Sequence, residues 1–96
     1  MPGQARLGDK TYGYCSKCDD YVYGKIITAS EDHLTNGKKS ARLNDLVECD
    51  SKHQGTINVA STKKFINGRG AARLEDTYTG DYSGKIIEAS EDHIVG

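Results

Sequence analysis

Three cysteines and one histidine carry the recognisable chemistry of this chain, as Cys15-x-x-Cys18 and Cys49-x-x-x-His53. Each pair is a common half of a zinc site, because two soft donors a few residues apart can close on one ion from a single loop. Together, three thiolates and one imidazole complete a closed tetrahedral site with no open position for a substrate. The spacing therefore predicts one structural zinc ion held by Cys15, Cys18, Cys49 and His53. Iron is the weaker choice, since rubredoxin-like centres prefer four thiolates. The alternative is ordinary loop residues, with Cys15 and Cys18 joined as a disulfide. An odd number of cysteines cannot close a disulfide framework within one chain, which favours thiolates used as ligands.

A second set, Ser30, Asp32 and His33, recurs at Ser90, Asp92 and His93. In an extended segment Ser30 and Asp32 face one way and His33 the other, so the three do not make a hydrogen-bonded triad. With no oxyanion site or Gly-rich phosphate loop nearby, no catalytic residue is expected and the chain does not read as an enzyme.

The elements that must position these groups follow from an internal repeat. Ala5-Arg6-Leu7-Gly8-Asp9 matches Ala41-Arg42-Leu43-Asn44-Asp45 and Ala72-Arg73-Leu74-Glu75-Asp76. Downstream, the segments beginning at Gly24, Gly55 and Gly84 match in the same way. The chain reads as a single domain, 1–96, of three copies at about 5–37, 41–68 and 72–96, a period in the range of stacked or radial repeat folds. Short alternating runs and the Asn36-Gly37 and Asn67-Gly68 turn pairs predict β-hairpins and almost no helix. One such unit cannot bury its apolar face alone. The expected fold is a small, all-β, closed pseudo-threefold prism. Its core would be Leu7, Leu43 and Leu74 with Ile26, Ile57 and Ile86, and Ala29, Ala60 and Ala89 would crowd the axis. The copies differ mainly between the Asp and the Gly, and these insertions, the first two carrying the candidate ligands, would meet at one end.

Composition limits the alternatives. A net charge of −1 argues against an electrostatic nucleic-acid binder. No apolar run is long enough to cross a membrane as a helix, and no signal-peptide core is present. Few large aliphatics and 11 glycines leave a thin core that would profit from a metal staple. Arg6, Arg42 and Arg73 are placed to pair with Asp9, Asp45 and Asp76, as surface ion pairs. Tyr12, Tyr14, Tyr21 and Tyr23 crowd the first insertion, with Tyr78 and Tyr82 in the third. They read as rings packed over the metal loop, with a binding platform as the other option. His33, Lys64 and His93 fall at matching places and would form a ring of basic groups, or simply a solvated polar row.

The opening Met1-Pro2-Gly3-Gln4-Ala5-Arg6-Leu7-Gly8-Asp9 resembles that of PAAR-repeat proteins. Asn67-Gly68-Arg69-Gly70-Ala71-Ala72-Arg73 is similar to the family's Asn-Gly-x-Pro-Ala-Ala-Arg signature, with Gly70 in place of proline, and Asn36 to Arg42 is a looser copy. The resemblance implies a sharp conical β domain that caps the blunt end of a trimeric β-helical spike, in contractile phage tails or type VI secretion systems. It implies zinc near the apex, with Cys49 and His53 at the family's second-repeat ligand positions and Cys15 and Cys18 where a histidine is common. One chain would dock per spike trimer, through the face opposite the insertions, with His33, Leu34, Lys64, Phe65, His93 and Ile94 as the candidate contacts. The expected place is the baseplate spike tip of a virion, assembled in the host cytoplasm and without a fused toxin. Delivery by a type VI system is the second option. A small zinc-binding adaptor for another protein is the alternative function.

Overall fold

The computed structural model describes residues 3–90, which form ten short strands and no helix. In chain order the strands are β1 (Lys10–Cys15), β2 (Asp20–Ile26), β3 (Leu34–Thr35), β4 (Lys38–Lys39), β5 (Leu46–Cys49), β6 (Gln54–Ile57), β7 (Phe65–Ile66), β8 (Arg69–Gly70), β9 (Thr77–Gly80) and β10 (Tyr82–Ile86). Three hairpins, β1–β2, β5–β6 and β9–β10, close into one antiparallel barrel in the order β1-β10-β9-β6-β5-β2. Closure pairs every barrel strand on both sides, so the barrel has no free edge. The expected all-β, pseudo-threefold architecture is present, with its upper part closed into this barrel. Two small hairpins, β3–β4 and β7–β8, extend the other end. Their Asn-Gly turns have the doubly positive φ of a type I′ turn, 54° and 76° in each case.

The same joint is built three times where each Ala-Arg segment enters the barrel. Its Asp N–H donates to the Arg carbonyl at 3.0, 3.1 and 3.0 Å (Asp9, Asp45, Asp76), closing a tight turn. The third turn residue needs positive φ, and Gly8, Asn44 and Glu75 have 86°, 71° and 72°. Each of these residues then donates its N–H to the isoleucine carbonyl of its own copy (Ile26, Ile57 or Ile86). Each Asp carboxylate takes the backbone N–H of its arginine at 2.8 Å and is forked by the guanidinium at 2.8–3.1 Å. Hydrogen bonding to the carboxylate, working against desolvation, raises the pKa of Arg6, Arg42 and Arg73. The pairing follows the sequence reading, but its depth does not. The carboxylates are only 0%, 2% and 5% exposed, so these are buried ion pairs. Asp45 also accepts from Arg69 at 3.3 Å.

On the axis, Ala5 N–H donates to Ala72 C=O, Ala72 N–H to Ala41 C=O, and Ala41 N–H to Ala5 C=O, at 2.9, 3.0 and 2.9 Å. The three bonds form a closed cycle. Gln4 sits on it, with Nε2 at 2.7, 3.0 and 3.0 Å from the carbonyls of Ala5, Ala41 and Ala72. The crowded axis is thus built by these alanines, all fully buried, and not by Ala29, Ala60 and Ala89. The latter are half-buried and lie on connections outside the strands. Leu7, Leu43 and Leu74 are also half-buried, because they occupy the outward corner of the Arg-x-x-Asp turn. Ile26, Ile57 and Ile86 do form the core, with Val47, Tyr78 and Tyr82.

The recurring glycines matter for the bore of the barrel. A Cβ on Gly55 would lie 2.1 Å from the Tyr82 carbonyl oxygen, and one on Gly24 2.4 Å from the Glu48 carbonyl oxygen and 2.7 Å from the Tyr82 ring. Strands carrying larger residues here could not approach closely enough to close. Gly55→Ala should lower unfolding stability by about 3 kcal/mol by overpacking, measured by denaturant titration. Asp45→Ala should cost about 3–5 kcal/mol, because it strands two guanidinium groups, and it should cost more than Asp9→Ala.

Candidate metal centre

The tips of the β1–β2 and β5–β6 hairpins meet at the end of the barrel remote from the alanine cycle. The β5–β6 loop is a tight turn in which Lys52 N–H donates to Cys49 C=O at 2.9 Å and Lys52 has φ 71°. Cys49 N–H then pairs with His53 C=O at 2.8 Å. This three-residue loop, ending in a left-handed residue, sets Cys49 and His53 facing one another, which is why the spacing is Cys-x-x-x-His. In the β1–β2 loop Asp19 takes the left-handed conformation (φ 53°) and Cys18 N–H points at Cys15 Sγ, 3.3 Å away. Ser16 N–H donates to Asp81 C=O at 2.8 Å, tying this loop to the third hairpin.

The four predicted ligands converge. His53 Nδ1 lies 3.1 Å from Cys15 Sγ, 3.4 Å from Cys18 Sγ and 3.9 Å from Cys49 Sγ. Cys49 and Cys15 sulfurs are 4.0 Å apart, and all four ligand atoms lie within 4.8 Å of one another. A tetrahedral thiolate–imidazole centre with arms of ~2.3 Å to sulfur and ~2.0 Å to nitrogen has edges of roughly 3.5–3.8 Å. The donor set and its spacing fit that polyhedron, and the cluster could hold one metal ion through Nδ1 of His53. All three cysteines are free thiols, so the disulfide alternative is not the arrangement found. Cys15 is fully buried. Burial works to raise its pKa, but hydrogen bonds from Cys18, the Lys17 backbone and Cys49 outweigh it and bring the thiol down to about 7. A thiolate is therefore available to a metal near neutral pH.

The third hairpin brings no ligand and fills its place with aromatic rings. Counting from the shared glycine, Tyr82 occupies the position that His53 has in the second copy and Val22 in the first. Tyr82 is fully buried, its hydroxyl 2.9 Å from Thr11 Oγ1, and its ring packs at 4.9 Å against Tyr78. Burial raises the pKa of both phenols above the ordinary value. Tyr78 and Tyr82 are the floor beneath the cysteines. Tyr12, Tyr21 and Tyr23 do not cover the metal loop as expected. They lie on the outer wall of β1–β2, 37%, 62% and 57% exposed, because Tyr12 alternates with the inward Thr11 and Gly13 of β1, and Tyr21 and Tyr23 with Val22 and Gly24 of β2.

The other sequence candidates lie elsewhere. Ser30 Oγ donates to Asp32 or Asn67, at 2.9 and 2.6 Å, while the His33 ring nitrogen Nδ1 pairs with Ser40 Oγ at 2.9 Å. Those bonds separate Ser30 from the imidazole of His33. Leu34 and Phe65 begin matching hairpins at the opposite end and are 56% and 61% exposed. His33 and Lys64, just before them, are half-buried, and His93 and Ile94 lie outside the described residues. Sequence reading missed the glycine-lined bore and the Gln4 plug, although the alignment of Gly24, Gly55 and Gly84 was a visible signal for the first.

Metal chelation should raise hydrogen exchange in β1–β2 and β5–β6 first and leave the core of β10 protected longest. Elemental analysis should find one metal per chain, and Cys49→Ser should lose it. A metal-free chain of undiminished stability would refute the staple.

No curated protein sequence matches this chain. The family model of the PAAR motif matches it at residues 3–52 and again, overlapping, at 20–81. Two overlapping matches are what a repeated unit produces, and since together they span most of the chain, it belongs to the PAAR motif family.

Proposed function

We propose that this chain caps the blunt end of a trimeric β-helical spike and brings it to a point, one chain per trimer, in a contractile injection machine. The observation that carries this reading is the threefold base inside a single chain. The alanine cycle and the three Arg–Asp joints give the lower end near-threefold symmetry. A symmetric oligomer presents its end with the symmetry of its axis, and one chain with three matching lobes can complement it. The opposite end abandons that symmetry, with ligands on two hairpins and buried tyrosines on the third. A single terminal point can be asymmetric, whereas a docking face for a trimer cannot.

The docking face in this reading is the end that carries Leu34 and Phe65, whose exposure suits residues awaiting a partner. His33 and Lys64 flank them, and His93 and Ile94 would be the third contribution. The ion in this reading is zinc, bound by Cys15, Cys18, Cys49 and His53. Its job is structural, since four protein ligands leave no position for water or substrate. Structural zinc is worth about 10–16 kcal/mol in small peptides near neutral pH. That is the scale of a whole domain's net stability, roughly 5–15 kcal/mol, and suits a part under mechanical load.

The contractile phage tail is the machine we favour over type VI secretion. The low proline count, with Pro2 the one proline of the chain, and the short connections between the described strands support this preference. Light scattering of a mixture with a trimeric spike end should give one chain per three spike subunits. Leu34→Asp combined with Phe65→Asp should weaken that complex at least about thirtyfold. Binding with three chains per trimer, or none, would refute the capping role. Mass spectrometry of purified phage particles should find the chain at one copy per tail, and its absence there would favour the secretion system.

A further inference from the structure

We propose that the outer face of the β1–β2 hairpin binds an acidic polysaccharide. The face is a ladder of cross-strand pairs, Tyr14 opposite Tyr21, Tyr12 opposite Tyr23, and Lys10 opposite Lys25. The rings form one continuous patch, with Tyr12 4.8 Å from Tyr23 and 6.0 Å from Tyr21, and Tyr14 5.4 Å from Tyr21. Tyr12 and Tyr21 lie within 17° of parallel. From Lys10 to Tyr14 the patch runs roughly 13 Å at ~3.3 Å per residue.

The other hairpins serve as internal controls. At the places of Tyr12 and Tyr23 the second hairpin has Glu48 opposite Gln54, and the third has Thr79 and Ser83. The same barrel wall is thus built twice with polar residues, so the fold does not require aromatic ones. The lysines make the same case. Like charges directly opposite one another destabilise a strand pair. The matching pairs are Leu46 opposite Thr56 and Thr77 opposite Lys85, neither of them a repulsive pair. Among the described residues no carboxylate is within ion-pair distance of the Lys10 or Lys25 ammonium, although Lys25 stands opposite Glu48 of β5 and the Lys10 backbone N–H donates to Glu88 at 3.2 Å. Both line a surface hollow of about 600 Å³ together with Tyr23 and Asp50.

A sugar acid answers each of these groups. The C–H face of a pyranose ring stacks on the tyrosines, which offer a flat apolar surface with a polar rim. A carboxylate on the sugar pairs with the unpaired ammonium groups of Lys10 and Lys25, and ring hydroxyls donate to Asp50. An anionic bilayer fits less well. The ladder's own side chains are tyrosines and lysines, and Ile87 beside the hollow is a single exposed aliphatic residue, too little to enter the acyl region. This inference goes beyond the capping role and holds or fails independently of how the opposite end is seated.

The experiment is an NMR titration of the metal-loaded chain with a short oligogalacturonate, its methyl ester, and phosphatidylglycerol vesicles. Shifts should concentrate in residues 10–15 and 20–26, and the ester should bind at least about tenfold more weakly than the acid. Two double variants borrow residues from the other copies: Tyr12→Thr with Tyr23→Ser, and Lys10→Leu with Lys25→Thr. Both should keep the folded spectrum, the first losing acid and ester binding alike and the second losing the preference for the acid. Equal binding of acid and ester, acid binding unchanged in the tyrosine variant, or shifts produced by vesicles alone would each overturn the proposal, as would no shifts at all.

Discussion

The structure depends on a cycle of three backbone hydrogen bonds, Ala5 to Ala72 to Ala41 and back to Ala5. A hydrogen-bonded cycle of this size demands that three backbones meet at one point, which only small side chains permit. Alanine occupies all three positions. The cycle fixes the entry angle of each copy, the Arg-x-x-Asp turn next to it redirects the chain, and the buried carboxylate locks the turn. The three hairpins then rise side by side and have no choice but to close on one another. Gln4 places a polar group where an axis would otherwise be hollow, at the cost of leaving its Oε1 buried without a hydrogen bond among the described residues.

From this symmetric base the chain spends its differences at the far end. The inward positions of the barrel read as layers. Isoleucines lie nearest the base, then a layer dominated by glycine, then the Cys–His cluster beside Tyr82. The glycine layer is why a barrel of six strands can be so narrow. That narrowness brings loops from two hairpins within reach of one ion. A Cys–His cluster able to hold one ion and a pair of aromatic rings are two solutions to the same problem, closing the end of a bore too small to hold a conventional core.

Much of this was legible in the residues. Matching Ala-Arg-Leu-x-Asp and Gly-x-Ile segments announced the threefold, and Asn-Gly announced the two small hairpins. The convergence of Cys15, Cys18, Cys49 and His53 was legible because Cys-x-x-Cys and Cys-x-x-x-His fell in the same slot of successive copies. What could not be read was which repeated residue faces inward. Leu7, Leu43 and Leu74 look like core by hydrophobicity, but a turn governs their position and its outward corner leaves them half-exposed. Ala29, Ala60 and Ala89 recur as faithfully as the axial alanines, and recurrence alone does not distinguish an axis from a connection. Tyr12 and Tyr82 are the same residue type in equivalent hairpins, one on the wall and one in the bore. Strand register separates them, and register appears only once the hairpins are paired.

The alanine cycle also bears on how the chain comes to be folded. Its members are far apart in sequence, and its last bond joins the first copy to the third. No single hairpin, and no pair of copies, can complete it. A chain leaving the ribosome must therefore hold its first copy open until the third has emerged. Such long-range closure predicts slow, all-or-none assembly rather than growth copy by copy, in contrast to linear repeat proteins.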